Sequence, residues 1–92
     1  MAAKRIYFKV HGTVQGVNFR NFTEMRANDY GLVGFVRNTS DGKVEGEAQG
    51  NDDSLLKLLK DVNQGPRLAH VVKVEKQEIE PKDGERNFVV RR

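Results

Sequence analysis

The dipeptide Asp41-Gly42 stands between two runs of β-forming residues, and no other feature of the chain constrains its fold as much. Leu32 to Asn38 precedes it; Val44, Gly46 and Ala48 follow, alternating with Lys43, Glu45, Glu47 and Gln49. Asp-Gly between such runs marks a tight turn, so the two runs predict an antiparallel hairpin. Helical periodicity flanks it. Upstream, Phe19, Phe22, Thr23, Ala27 and Tyr30 recur at three- and four-residue steps, predicting a helix from about Phe19 to Tyr30 with Gly31 at its left-handed cap. Downstream, Asn51-Asp52-Asp53-Ser54 offers capping side chains and negative charge at a helix start. Leu55, Leu58, Leu59 and Val62 then form an apolar stripe, which Gly65-Pro66 ends. Ile6, Phe8 and Val10 alternate with Arg5, Tyr7, Lys9 and His11 as a first strand, before Gly12 and Gly16 punctuate a loop. Val72 and Val74 begin a fourth strand reaching to Ile79, and Phe88-Val89-Val90 makes a short fifth. The order is β-α-β-β-α-β with right-handed crossovers. It predicts an α+β sandwich: an antiparallel sheet with two helices on one face. The other face, carrying Lys9, Glu45 and Glu47, is expected to be largely solvated.

At 92 residues the chain is expected to be a single domain spanning 1–92, with one small core and no room for an internal cofactor. Cysteine is absent, which removes disulfides, thiolate zinc sites and cysteine nucleophiles together. His11 and His70 are the only imidazoles, and no ligand-like cluster surrounds either, so neither metal nor cofactor is expected. Each histidine reads as a surface or structural residue. The longest apolar run, Leu32 to Val36, is far below the roughly 20 residues of a membrane span. Charges at Lys4, Arg5 and Lys9 interrupt any signal-peptide core, so a cytoplasmic protein without membrane attachment is expected. Net charge is +3, unevenly placed: residues 1–37 hold six Lys/Arg against only Glu24 and Asp29. That half attracts an anion.

Gly12-Thr13-Val14-Gln15-Gly16-Val17-Asn18-Phe19-Arg20 runs from strand through a glycine-bearing loop into a helix. Such a junction points backbone N–H groups at the helix start, where anions bind. Arg20 adds a guanidinium fork suited to phosphate oxygens. The residues alone fit a plain strand–helix loop with a surface arginine somewhat better, since glycine-rich loops of this kind are common. Known phosphate signatures do not apply: Gly12 and Gly16 are separated by three residues and followed by Val17-Asn18, which is no Walker loop. Asn38 lies at the strand end before the hairpin turn. Its amide either caps a turn or holds a water, donating and accepting at once.

The stretch Gly12 to Arg20 resembles the active-site loop of acylphosphatases, and Gly31 to Gly46 is similar to that family's second signature. Gly65-Pro66-Arg67-Leu68-Ala69-His70-Val71 and the ending Phe88-Val89-Val90 fit its later pattern, so the resemblance runs from about Arg5 to Arg91. It implies a ferredoxin-like sandwich, in agreement with the element order, and hydrolysis of the carboxyl–phosphate anhydride of acyl phosphates. By the same resemblance Arg20 is the phosphate-binding arginine and Asn38 orients water. Gln15, Gly16, Val17, Asn18 and Phe19, with Arg20, form the substrate cradle. Phe35 departs from the tryptophan that many relatives carry, which concerns packing. Asn18 occupies a variable position, and the Arg91-Arg92 ending is not diagnostic.

That chemistry requires no metal. The leaving carboxylate has a conjugate-acid pKa of roughly 4, so it departs without a general acid. Neutralising phosphoryl oxygens and aligning a water are the remaining tasks. The expected partners are a small acyl phosphate as substrate and inorganic phosphate as product and inhibitor, with no nucleic acid and the chain a monomer. RNA-recognition modules share the element order, but their aromatic octapeptide matches Gly31 to Asn38 only at Gly34, Phe35 and Val36. The third strand, Lys43 to Gln49, holds no aromatic on which a base would stack. A phosphate-binding domain without turnover is the other alternative.

Overall fold

The computed structural model describes residues 3–91 and follows the expected order: β1 (Lys4–Thr13), α1 (Phe19–Asp29), β2 (Val33–Asn38), β3 (Val44–Gly50), α2 (Asp52–Gln64), β4 (His70–Ile79) and β5 (Phe88–Val90). Met1, Ala2 and Arg92, the ends of the expected 1–92 domain, lie outside the described residues. The sheet order is β4-β1-β3-β2-β5. Ile6, Phe8 and Val10 of β1 and Val44 and Ala48 of β3 meet the stripe Leu55, Leu58, Leu59 and Val62 of α2 and Phe19 and Ala27 of α1 in one core. Gly46 faces Phe8 across the strands, where a methyl group would come within 2.8 Å of the phenyl ring.

Each helix ends as its sequence directs. Leu32 N–H donates to the Ala27 carbonyl and Gly31 N–H to the Asn28 carbonyl, with Gly31 at φ 73°, the Schellman arrangement. Asn51 caps α2 by accepting from Ser54 N–H at 2.8 Å, with Asp52 and Asp53 in the first turn.

Three features depart from the sequence reading. First, β1 runs beyond His11 through Gly12 and Thr13, which pair with Val71 and His70 across a bulge. A side chain on Gly12 would collide with the His70 carbonyl, and φ 129° suits only glycine, so the residue expected to open the loop instead permits a longer strand. Second, the sheet is mixed: four strands pair antiparallel as expected, but β5 pairs parallel to β2, Gly34 opposite Phe88. β4 and β2 run in opposite directions, so a chain that reverses after β4 and reaches the β2 edge must run parallel to β2. Third, the open face is solvated along β4, where Lys73, Glu75 and Gln77 are exposed, but not at Arg5. Arg5 is fully buried there, its Nε 2.7 Å from Glu47 and its Nη1 2.5 Å from Glu85, with Gln49 also accepting from it. Burial disfavours the guanidinium charge, but Glu85 and Glu47 outweigh it and raise its pKa.

Candidate active site

Between β1 and α1, Val14 is buried and anchors the loop to the core, while Gly16 at φ 73° and Asn18 at φ 66° take left-handed conformations. Turns of this kind gather backbone N–H groups on the concave side of a loop. Asn18 occupies the N-cap of α1, where its oxygen would ordinarily accept from the first turn. It does not: Oδ1 accepts from Asn21 Nδ2 at 2.9 Å, and the helix has neither a side-chain cap nor an acid in its first turn. The N-terminus of α2 is closed by Asn51 and two aspartates, whereas that of α1 is left open, its first N–H groups without intrahelical acceptors.

That open end forms one wall of a cleft of about 260 Å³ lined by Val14, Gly16, Asn18, Phe19, Arg20, Asn21, Asn38 and Val90. Among the described residues the lining holds one cation and no carboxylate. Both Arg20 and Asn38 are half-buried. Among the described residues, neither the Arg20 guanidinium nor the Asn38 amide has a hydrogen-bond or ion-pair partner, while Arg5 and Arg37 are paired with glutamates. An unengaged guanidinium, a free amide and an open helix end in one concavity suit a tetrahedral anion.

Of the residues that the sequence reading assigns to the site, Gly16, Asn18, Phe19, Arg20 and Asn38 line this cleft together. Gln15 and Val17 do not. Val17 packs against the core. The Gln15 amide turns to the β2–β3 hairpin, donating to the carbonyls of Thr39 at 2.8 Å and Lys43 at 2.9 Å. Val14, Asn21 and Val90 are additional lining residues. The Asn18/Asn21 spacing, three apart on a helix start, is a signal that sequence carries; Val90 reaches the cleft only through the β5–β2 pairing.

A shallower hollow on the open face, lined by Lys9, Arg37, Asn38, Thr39, Ser40, Asp41 and Glu45, shares Asn38 with the cleft. Its charges neutralise one another: Arg37 pairs with Glu45, and Lys9 and Lys43 with Asp41. A hydrogen bond from Thr39, with Lys43 beside it, pulls the Asp41 carboxyl down to about 2. His11 lies against Glu75, and His70 is exposed at the start of β4; neither lines the cleft. Among the described residues no group of His, Cys, Asp or Glu is disposed to hold a metal, and no helix is long and apolar enough to cross a membrane.

A family model described as Acylphosphatase matches residues 6–90. The chain is 45% identical over 89 residues to an acylphosphatase of Salinibacter ruber (strain DSM 13855 / M31), across 97% of this chain and 94% of that one. A solved acylphosphatase from Coxiella burnetii superposes with a TM-score of 0.92 at 38% identity, covering 97% of this chain and 93% of its own. That from Bacillus subtilis superposes equally well, TM-score 0.92 at 31% identity, covering 97% and 99%.

Proposed function

The chain belongs to the acylphosphatase family, an enzyme family, and from that premise we propose that it hydrolyses small acyl phosphates to a carboxylate and inorganic phosphate in the cleft at the start of α1. The observation that carries this reading is the meeting of Arg20, Asn38 and the uncapped α1 terminus around one concavity in which no described residue is a carboxylate. Arg20 and the N–H groups of Gly16, Asn18 and Phe19, the loop residues that line the cleft, take the phosphoryl oxygens, in the ground state and more strongly as charge develops. Asn38 accepts a hydrogen bond from the attacking water and aims its oxygen at phosphorus. The new P–O bond forms as the bond from phosphorus to the acyl oxygen breaks. The electron pair leaves with the carboxylate, and one water proton passes to a phosphoryl oxygen, giving dihydrogen phosphate. Among the described residues no carboxylate or imidazole lines the cleft, which supports a route in which the substrate's own phosphoryl group takes the proton.

The leaving group is already a weak base, so the reaction draws on neither a general acid nor a bound metal. Residues 1–92 act in this reaction as a single metal-independent domain, a cytoplasmic monomer that engages no nucleic acid. The test is release of phosphate from a small aryl acyl phosphate, measured with excess EDTA and without it. Equal turnover in both is expected. Loss of turnover in EDTA, restored by Mg²⁺ or Zn²⁺, would overturn the metal-free mechanism. Phosphate binding with no turnover in either would mark a binding domain instead.

A further inference from the structure

Gln15 sits in the loop before α1, yet its side chain leaves that loop. Its Nε2 donates to the carbonyls of both Thr39 and Lys43, the two residues that close the neck of the β2–β3 hairpin. The neck is cross-bonded in its own right: Thr39 N–H donates to the Lys43 carbonyl at 2.8 Å, and Lys43 N–H to Thr39 Oγ1 at 2.9 Å. Asn38 immediately precedes Thr39.

Arg20 is carried by α1 and Asn38 by β2, which is separated from β1 in the sheet by β3. The Gln15 amide is a direct strap from the loop that leads into Arg20 to the hairpin that bears Asn38. We propose that Gln15 is a positioning residue: it holds Asn38 in register with the Arg20 cradle and so sets the line along which water approaches phosphorus. This rests on the water-aligning role assigned to Asn38 above. The strap must donate, since both of its partners are carbonyl oxygens; a carboxylate of the same length would face them with like charge. In-line attack is sensitive to such alignment, with a displacement of about 1 Å costing as much as 10²-fold in rate.

The experiment measures kcat and the inhibition constant for inorganic phosphate in Gln15→Ala and Gln15→Glu, each alone and combined with Asn38→Ala, with circular dichroism to verify folding. Gln15→Ala is expected to lower kcat by about tenfold or more while leaving phosphate affinity nearly unchanged. Gln15→Glu should be at least as damaging despite its matching size. In the Asn38→Ala background, Gln15→Ala should lower kcat no further, because its effect passes through Asn38. Should Gln15→Glu fold poorly, Gln15→Asn, one methylene short of both carbonyls, carries the same comparison. If Gln15→Ala costs its full factor in the Asn38→Ala background, or weakens phosphate binding in step with kcat, the positioning role is wrong while the role of Asn38 stands. If Asn38→Ala alone keeps wild-type kcat, the role of Asn38 is wrong and this proposal falls with it.

Discussion

Asn28 on α1 holds both backbone groups of Phe88 on β5, Nδ2 donating to the carbonyl at 3.2 Å and Oδ1 accepting from the N–H at 3.0 Å. One side chain thereby fixes the end of the chain to the first helix. β5 has only three residues and one neighbouring strand, so this grip is a large part of what seats it. Two residues beyond Phe88, Val90 lines the cleft.

Replacing Asn28 with alanine should therefore loosen β5 and leave two partly buried backbone groups unpaired. A loss of about 1–3 kcal/mol is expected. Hydrogen exchange read by segment is the check: amides of Phe88 to Val90 should exchange faster while those of α2 keep their protection. Unchanged exchange in β5 would show that parallel pairing with β2 suffices.

Arg5 gives a second stability prediction. It is fully buried, and its partners Glu47 and Glu85 retain only 18% and 21% of their side-chain exposure. Arg5→Met should cost about 3 kcal/mol, chiefly because two carboxylates lose their cation in a site that water reaches poorly. Adding Glu85→Gln should recover part of that loss, a non-additivity that urea denaturation of the single and double variants would reveal. Simple additivity of the two changes would contradict the network.

Arg20 and Asn38 should separate kinetically. Arg20→Ala is expected to weaken competitive inhibition by phosphate and to lower kcat as well, a few kcal/mol in combination. Lysine at position 20 should restore this only in part, since an ammonium lacks the bidentate fork. Asn38→Ala should reduce kcat by roughly 10²–10³ and leave phosphate affinity near wild type. Phosphate inhibition that weakens with Asn38→Ala at unchanged kcat would move Asn38 into the anion cradle.

Acid and base should unfold the protein through different groups. The Asp41 carboxyl, held at about 2 by Thr39 and Lys43, lies below its ordinary 3.8. Burial opposes ionisation of Glu47, yet Arg5 and Lys82 hold it below the usual carboxylate range. A depressed carboxyl contributes stability above its unfolded pKa and loses it as pH falls through the folded value. Denaturation midpoints should thus decline from about pH 4 toward pH 2, and Asp41→Asn should flatten the lower part of that fall. Tyr7 is pushed up to about 12 by burial and by its hydrogen bond to Glu45. The protonated phenol is favoured in the folded state, so its contribution is complete below pH 10 and lost between there and pH 12. An alkaline limb unchanged in Tyr7→Phe would refute that assignment.

Local chemistry wrote the elements into the sequence. The stripe from Leu55 to Val62, the cap at Asn51, the stop at Gly31 and the turn at Asp41-Gly42 each act over a few residues, so the order of helices and strands is legible without the fold. The loop around Arg20 and the strand end at Asn38 are legible as well, through their resemblance to known motifs. Tertiary structure decided three other matters. Strand alternation sets Arg5 on the open face, but its burial depends on carboxylates 42 and 80 residues away. β5 runs parallel because of where the chain crosses to, not because of what Phe88-Val89-Val90 contains. Gln15 sits among cradle residues in the sequence, but its amide serves a hairpin more than 20 positions further on. Propensity, capping and turn chemistry act between near neighbours, so sequence reports them directly. Burial, ion pairing and the convergence of a site act between residues that only folding brings together.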